Sequence, residues 1–169
     1  MGVWSASSVA PLIKVLTNGP TEPQVQLRFL ETVLPGGLGH HVYGNLIYYN
    51  YPFGFRDCQL VGGKLWVTDV GLALTNNLLD RVNLELEGTD NEPQRYFYHN
   101  LFRGGRAYLA VPGGTIAHAK YNLFDDCFIT QSGTFTLTNN GYLGSTNSLT
   151  PTNALASFFL TSIQYEKGP

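Results

Sequence analysis

A four-residue pattern of Asn, Leu, an apolar residue and a charge returns along this chain at a nearly constant interval. It reads NLLD from Asn77, NLFR from Asn100 and NLFD from Asn122, spaced 23 and then 22 residues apart. A period of about 20–50 residues signals a stacked-repeat architecture, because so short a unit cannot bury its apolar face alone. A shortened copy follows at Asn140, 18 residues on, in TNNGYLG. LTNN occurs twice, ending at Asn77 and at Asn140. GNLIY, beginning at Gly44, has the same local pattern but falls off register. One further unit back from Asn77, GFRDC aligns with LFDDC. That alignment puts Cys58 and Cys127, the chain's two cysteines, in one slot three units apart.

Two stacked architectures fit the period. A leucine-rich repeat wants a Leu-x-x-Leu-x-Leu frame with Asn after it, whereas here Asn precedes the apolar pair. A parallel β-helix has three short strands per coil, and its coils stack at about 4.8 Å. On that geometry Asn77, Asn100, Asn122 and Asn140 form a ladder at one turn. Asn tolerates left-handed backbone there, and each amide reaches the next. Either Leu78, Leu101 and Leu123 or the adjacent Leu79, Phe102 and Phe124 point inward. Leu84, Ala107 and Ile129 form a second apolar file. VQLRFL, KLWVTDV and TFTLT alternate as strands do, and glycine pairs at 62–63, 104–105 and 113–114 mark turns. A sandwich in which the repeats are accidental is the remaining all-β alternative.

The units NNLLDRVNLEL, HNLFRGGRAYLAV and YNLFDDCFITQSG resemble the degenerate coils of bacterial right-handed parallel β-helix repeat proteins, over roughly residues 40–148. The resemblance implies an all-β solenoid with coils of about 22–24 residues. It implies residence in a secreted or cell-surface protein, and either a scaffold role or a lyase or hydrolase of the pectate-lyase-like class. No catalytic signature of those enzymes maps onto this chain. The organisation expected is a flanking or capping segment at 1–38, coils at 39–150, and a flanking strand or cap at 151–169. TNALASFFL is the one candidate helix. The chain reads as a piece of a longer solenoid that reaches the cell surface through its parent, since its start is no signal peptide. Open coil ends expose strand edges and favour end-to-end association or further coils.

Composition narrows the partners. The net charge is −2, and charged residues make up 13% of the chain, about half the usual share of roughly 25%. No basic excess points to nucleic acid or to an anionic membrane, and no apolar run approaches the ~20 residues of a span. The shared slot sets the two thiols three coils apart, about 14 Å. That exceeds the ~7 Å limit of a disulfide, so two free, buried thiols are expected.

Candidate chemistry is sparse. Asp80, Arg103 and Asp125 form a charged file of alternating sign. It is either a surface ion ladder or a carboxylate pair flanking a sugar, which Arg103 would neutralise. A neighbouring file is expected to hold Asp57, Arg81 and Asp126, too few oxygens for calcium. Glu85 and Glu87 alternate with leucines and read as a wet strand face. The histidines lack ligand spacing, and His40-His41 reads as loop. No cofactor or metal site is expected. Tyr48, Tyr49, Tyr51, Tyr96 and Tyr98 are the candidate ligand contacts, because an exposed tyrosine can stack on a sugar ring while its hydroxyl stays wet. A polysaccharide is the partner this implies.

Overall fold

The computed structural model describes residues 11–15, 26–34, 40–45, 53–68, 71–87, 95–110, 116–144, 146–147, 154–155 and 157–165. All its regular elements are strands, and they recur in threes. The first rung is β1 (Pro11–Val15), β2 (Gln26–Arg28) and β3 (Glu31–Leu34); the second is β4 (His40–Asn45), β5 (Phe53–Arg56) and β6 (Gln59–Gly62). Next come β7 (Lys64–Thr68), β8 (Leu72–Thr75) and β9 (Leu78–Asp80), then β10 (Asn83–Glu87), β11 (Arg95–Tyr98) and β12 (Leu101–Arg103). They are followed by β13 (Arg106–Ala110), β14 (Ile116–Lys120) and β15 (Leu123–Asp125), then β16 (Phe128–Ser132), β17 (Thr134–Thr138) and β18 (Gly141–Leu143). The last rung is β19 (Thr146–Asn147), β20 (Ala154–Leu155) and β21 (Phe158–Leu160).

Each rung adds one strand to each of three 7-stranded sheets: A from β1, B from β2 and C from β3. Every pairing is parallel. The chain is a parallel β-solenoid, a β-helix. Its sheets also take strands from the segments 1–38 and 151–169. TNALASFFL forms the short strands β20 and β21 instead of a helix: the rung below supplies parallel partners for Ala154, Leu155 and Phe158–Leu160, which outweighs local helix preference.

Alternation selects the interior. Leu65 and Val67, then Leu84 and Leu86, point inward from sheet A, and Ala107 and Ile129 continue the file as expected. Sheet B contributes Phe53, Phe55, Leu72, Leu74 and Phe97. On sheet C the inward choice falls on Leu60, Leu79, Phe102, Phe124 and Tyr142, while Leu78, Leu101 and Leu123 face outward and are half-buried. Stacked rings run through this file. Phe102 and Phe124 lie 4.8 Å apart at 7°, Phe124 and Tyr142 5.3 Å apart at 6°, and Tyr142 and Phe159 5.4 Å apart at 23°. These distances are close to the rung spacing itself, so identical backbone positions hold the rings offset-parallel.

Among the described residues, the B-to-C and C-to-A corners turn repeatedly on a left-handed residue, and one A-to-B corner does so at Gly133. At the B-to-C corner the left-handed residues are Phe29, Asp57, Asn76, His99, Tyr121 and Asn139, all with φ between 54° and 58°. The residue after each points inward, and there the asparagines stand. The ladder residues themselves therefore do not take the left-handed geometry expected of them; their predecessors do. At the C-to-A corner the first residue after the sheet C position is left-handed in Gly62, Arg81, Gly104, Asp126 and Gly144, and the following Gly63 and Gly105 are left-handed too. A Cβ on Gly105, the next residue after Gly104, would lie 2.6 Å from the Val82 carbonyl oxygen, so that position needs glycine.

This arrangement corrects the cysteine register. Cys58 occupies the asparagine file: its N–H donates to Asn77 Oδ1 at 2.9 Å, and Leu78 N donates to its carbonyl. Cys127 follows Asp126 at the other corner, in the file of Gly63, Val82 and Gly105. The two motifs repeat because each encodes the same local turn: a strand, a left-handed Asp, then a buried Cys. They do not share a slot, and neither do Asp57 and Asp126. Both cysteines are free and buried. GNLIY begins in β4, on sheet A, and is not a ladder copy.

Candidate functional site

The asparagine ladder is a closed polar column inside an apolar core. Asn100 Oδ1 accepts from both the backbone N–H and the Nδ2 of Asn77, at 3.0 and 2.9 Å. Asn122 does the same for Asn100, and Asn140 for Asn122. The second N–H of each amide donates to a backbone carbonyl: Phe55, Leu74, Phe97 and Ala119 in turn. Both amide hydrogens of Asn77, Asn100 and Asn122 have partners, which is what makes such burial tolerable.

The charged file on sheet C's outer face is in the expected register, with Arg103 paired to Asp80 below and Asp125 above. Arg103 Nε lies 4.0 Å from Asp80 Oδ1, and Arg81 Nη2 lies 3.2 Å from Asp80 Oδ2. The Tyr165 hydroxyl donates to Asp125 Oδ2 at 2.5 Å, and the Arg103 guanidinium lies 6.0 Å from the Tyr165 ring. Burial and the Asp125 contact push the Tyr165 hydroxyl up to about 12. The two carboxylates are thus separated by a cation, and Asp125 is engaged by a tyrosine. Asp126 lies at the C-to-A corner, two positions up the file from Arg81. Among the described residues, no group of three His, Cys, Asp or Glu side chains could hold a metal ion, and no helix is long and apolar enough to cross a membrane.

Two buried polar residues escape sequence reasoning. His41 lies within β4, not in a loop, at an irregularity where His40 pairs with Lys64 and Val42 with Leu65. The extra residue turns inward: its Nε2 donates to the Gly62 carbonyl at 2.6 Å, and its Nδ1 accepts from the Thr32 hydroxyl at 2.7 Å. A carbonyl can only accept, so Nε2 carries a proton, and the lowered pKa keeps the ring neutral at neutral pH with Nδ1 as acceptor. Burial lowers its pKa. Arg95 is fully buried on β11, opposite Ala117. Its phase with Phe97 in RYFYH was the available signal.

The outer face of sheet B carries the half-buried rings of Tyr96, Tyr98 and His118. Tyr96 pairs with His118 across rungs, their rings stacked at 5.6 Å and 10°. Tyr98 lies 5.7 Å from Tyr96 and pairs with Lys120. Burial, then the neighbouring Tyr96, raises the Tyr98 pKa, so its hydroxyl is protonated at neutral pH. Past the corner, His99 and Tyr121 stack at 5.0 Å and 7°. The sequence picked out Tyr96 and Tyr98 but not the histidines and Tyr121 that extend their cluster, because those assemble only across rungs. Tyr48, Tyr49 and Tyr51 lie outside the described residues. Comparison with protein-family models, curated proteins and solved structures gives no significant match.

Proposed function

We propose that this β-helix acts without catalysis, as a rigid stretch of a bacterial secreted or cell-surface protein whose outer face contacts carbohydrate. The observation that carries this reading is the cluster of Tyr96, Tyr98 and His118 on the outer face of a parallel sheet, Tyr96 and His118 stacked across adjacent rungs and Tyr98 beside Tyr96 on one strand. Such rings offer apolar faces to the C–H side of a sugar and hydroxyl or imidazole tips to its hydroxyls. The rigid strands beneath hold them without an ordering cost on binding. The lyase or hydrolase alternative has weaker support, since Arg103 stands between Asp80 and Asp125 and Tyr165 engages Asp125.

A glycan array followed by calorimetry tests the proposal. A retained polysaccharide whose affinity drops about tenfold or more in Tyr96→Ala and Tyr98→Ala, with melting unchanged, supports it. Equal retention by both variants would place the contact elsewhere, and no retention at all would end the carbohydrate reading.

A further inference from the structure

The two left-handed corners differ in composition. At the C-to-A corner three of the five described positions are glycine. At the B-to-C corner none of the six is, although the backbone is the same and glycine is the least strained residue there. Asn and Asp tolerate the geometry, but Tyr121 and Phe29 are bulky residues for which it is a strained outlier. A side chain therefore stands at all six described positions of this corner. Phe29 and Tyr121 project into solvent, at 80% and 52% exposure.

Beside this file runs an open groove of about 400 Å³, lined by Asp57, Gln59, Asn76, Leu78, His99 and Leu101. Its two walls differ. The corner wall is polar, with Asn76 Nδ2 donating to Asp57 Oδ1 at 2.6 Å. The sheet C wall is the outward leucine file, which continues through Leu123. A wall of hydrogen-bonding groups facing a wall of methyls fits a pyranose ring, which is itself polar at its edge and apolar on its face. The rung spacing of about 4.8 Å is comparable with the length of one sugar unit, so the pattern can repeat along a chain. The lining holds one carboxylate, Asp57, and no lysine or arginine, so it offers a sugar carboxylate no cation of its own.

We infer that the B-to-C corner groove is a binding site for a linear, uncharged polysaccharide lying along the solenoid axis, with Asp57, Asn76 and His99 contacting its hydroxyls, Tyr121 holding the His99 ring by stacking, and Leu78 and Leu101 contacting its ring faces. The inference rests on the carbohydrate reading above and extends it to a second surface, contiguous through Tyr98 and His99.

The test is the combined variant Asn76→Gly, His99→Gly and Tyr121→Gly in the full chain, titrated with linear neutral hexasaccharides of glucan, xylan and mannan, with an oligogalacturonate as the charged control. Glycine keeps the corner geometry. A ligand-binding file predicts about a tenfold or greater loss of affinity for the neutral hexasaccharide with the melting temperature unchanged or raised. Unchanged affinity, when Tyr96→Ala abolishes binding, overturns the groove and leaves the sheet B reading standing. A lowered melting temperature with unchanged affinity shows a structural file and also overturns it. Preference for the oligogalacturonate overturns the uncharged class, and no binding of any probe to the unmodified chain overturns both proposals.

Discussion

Asn77 and Asn100 are joined twice: the Asn100 side-chain oxygen accepts from both the amide nitrogen and the backbone nitrogen of Asn77. The same doubling recurs between Asn100 and Asn122, so each ladder member completes the rung below it. Asn100→Ala would strand the Asn77 N–H, one Asn77 amide hydrogen and the Leu74 carbonyl in the core. At about 1–3 kcal/mol for each orphaned group, and less than additively, the expected loss is about 3–5 kcal/mol. Asn100→Asp keeps the acceptor but turns a carboxylate toward the Leu74 carbonyl, so it should be destabilised at neutral pH. Urea denaturation followed by circular dichroism checks both; a loss under about 1 kcal/mol for Asn100→Ala would mean that the ladder is incidental.

Phe124 is clasped between two rings, Phe102 at 4.8 Å and Tyr142 at 5.3 Å. It cannot be truncated without a cavity spanning three rungs. Phe124→Ala should cost about 3–5 kcal/mol, and Phe124→Leu clearly less, because most of the volume remains. Thermal unfolding of the pair checks the ordering. Equal losses would indicate that ring stacking, not volume, dominates the file.

Much of this fold is legible in the one-dimensional pattern, because a solenoid converts sequence period directly into spatial stacking. Asn77, Asn100, Asn122 and Asn140 could be placed one above another before any coordinate, and so could the order Asp80, Arg103, Asp125. What fails is phase within the rung. GFRDC and LFDDC match residue for residue yet sit at different corners, since one turn chemistry serves both and local likeness cannot say which corner is meant. The inward His41 was hidden for a related reason: an inserted residue in β4 reverses the expected face. The candidate surface was half legible. Tyr96 and Tyr98 stand two residues apart on one strand, whereas His118 and Tyr121 join them only through the pairing of β11 with β14.

Cys127 should be inert in the native chain. Its thiol is enclosed, contacting the carbonyls of Phe102 and Gly104 at 3.2 Å each. Burial, and then the nearby Asp125 carboxylate, pushes its pKa up to about 12. Little thiolate forms below that, and the thiolate is the nucleophile. Iodoacetamide near pH 8 is expected to leave Cys127 unmodified in the folded chain and to label it after unfolding in urea, as read by peptide mass spectrometry. Rapid native labelling at that position would contradict the enclosed corner.

His41 makes stability depend on pH on the acid side. Its folded pKa is lowered by burial, while the unfolded value is about 6.5. The unfolded chain therefore binds a proton that the folded chain refuses, and stability rises with pH wherever that difference exists. The His41 contribution is fully present above about pH 6.5 and is lost progressively as the pH falls through the unfolded value toward the lower folded one. In that window the charged ring would lose the acceptor role that its Nδ1 plays toward the Thr32 hydroxyl. The melting temperature should fall between about pH 7.5 and pH 5, and the fall should be shallower in His41→Gln, whatever that substitution does to absolute stability. Parallel melting curves for the two chains, or a melting temperature that rises on acidification, would show that the neutral, buried ring is not what sets the acid limit.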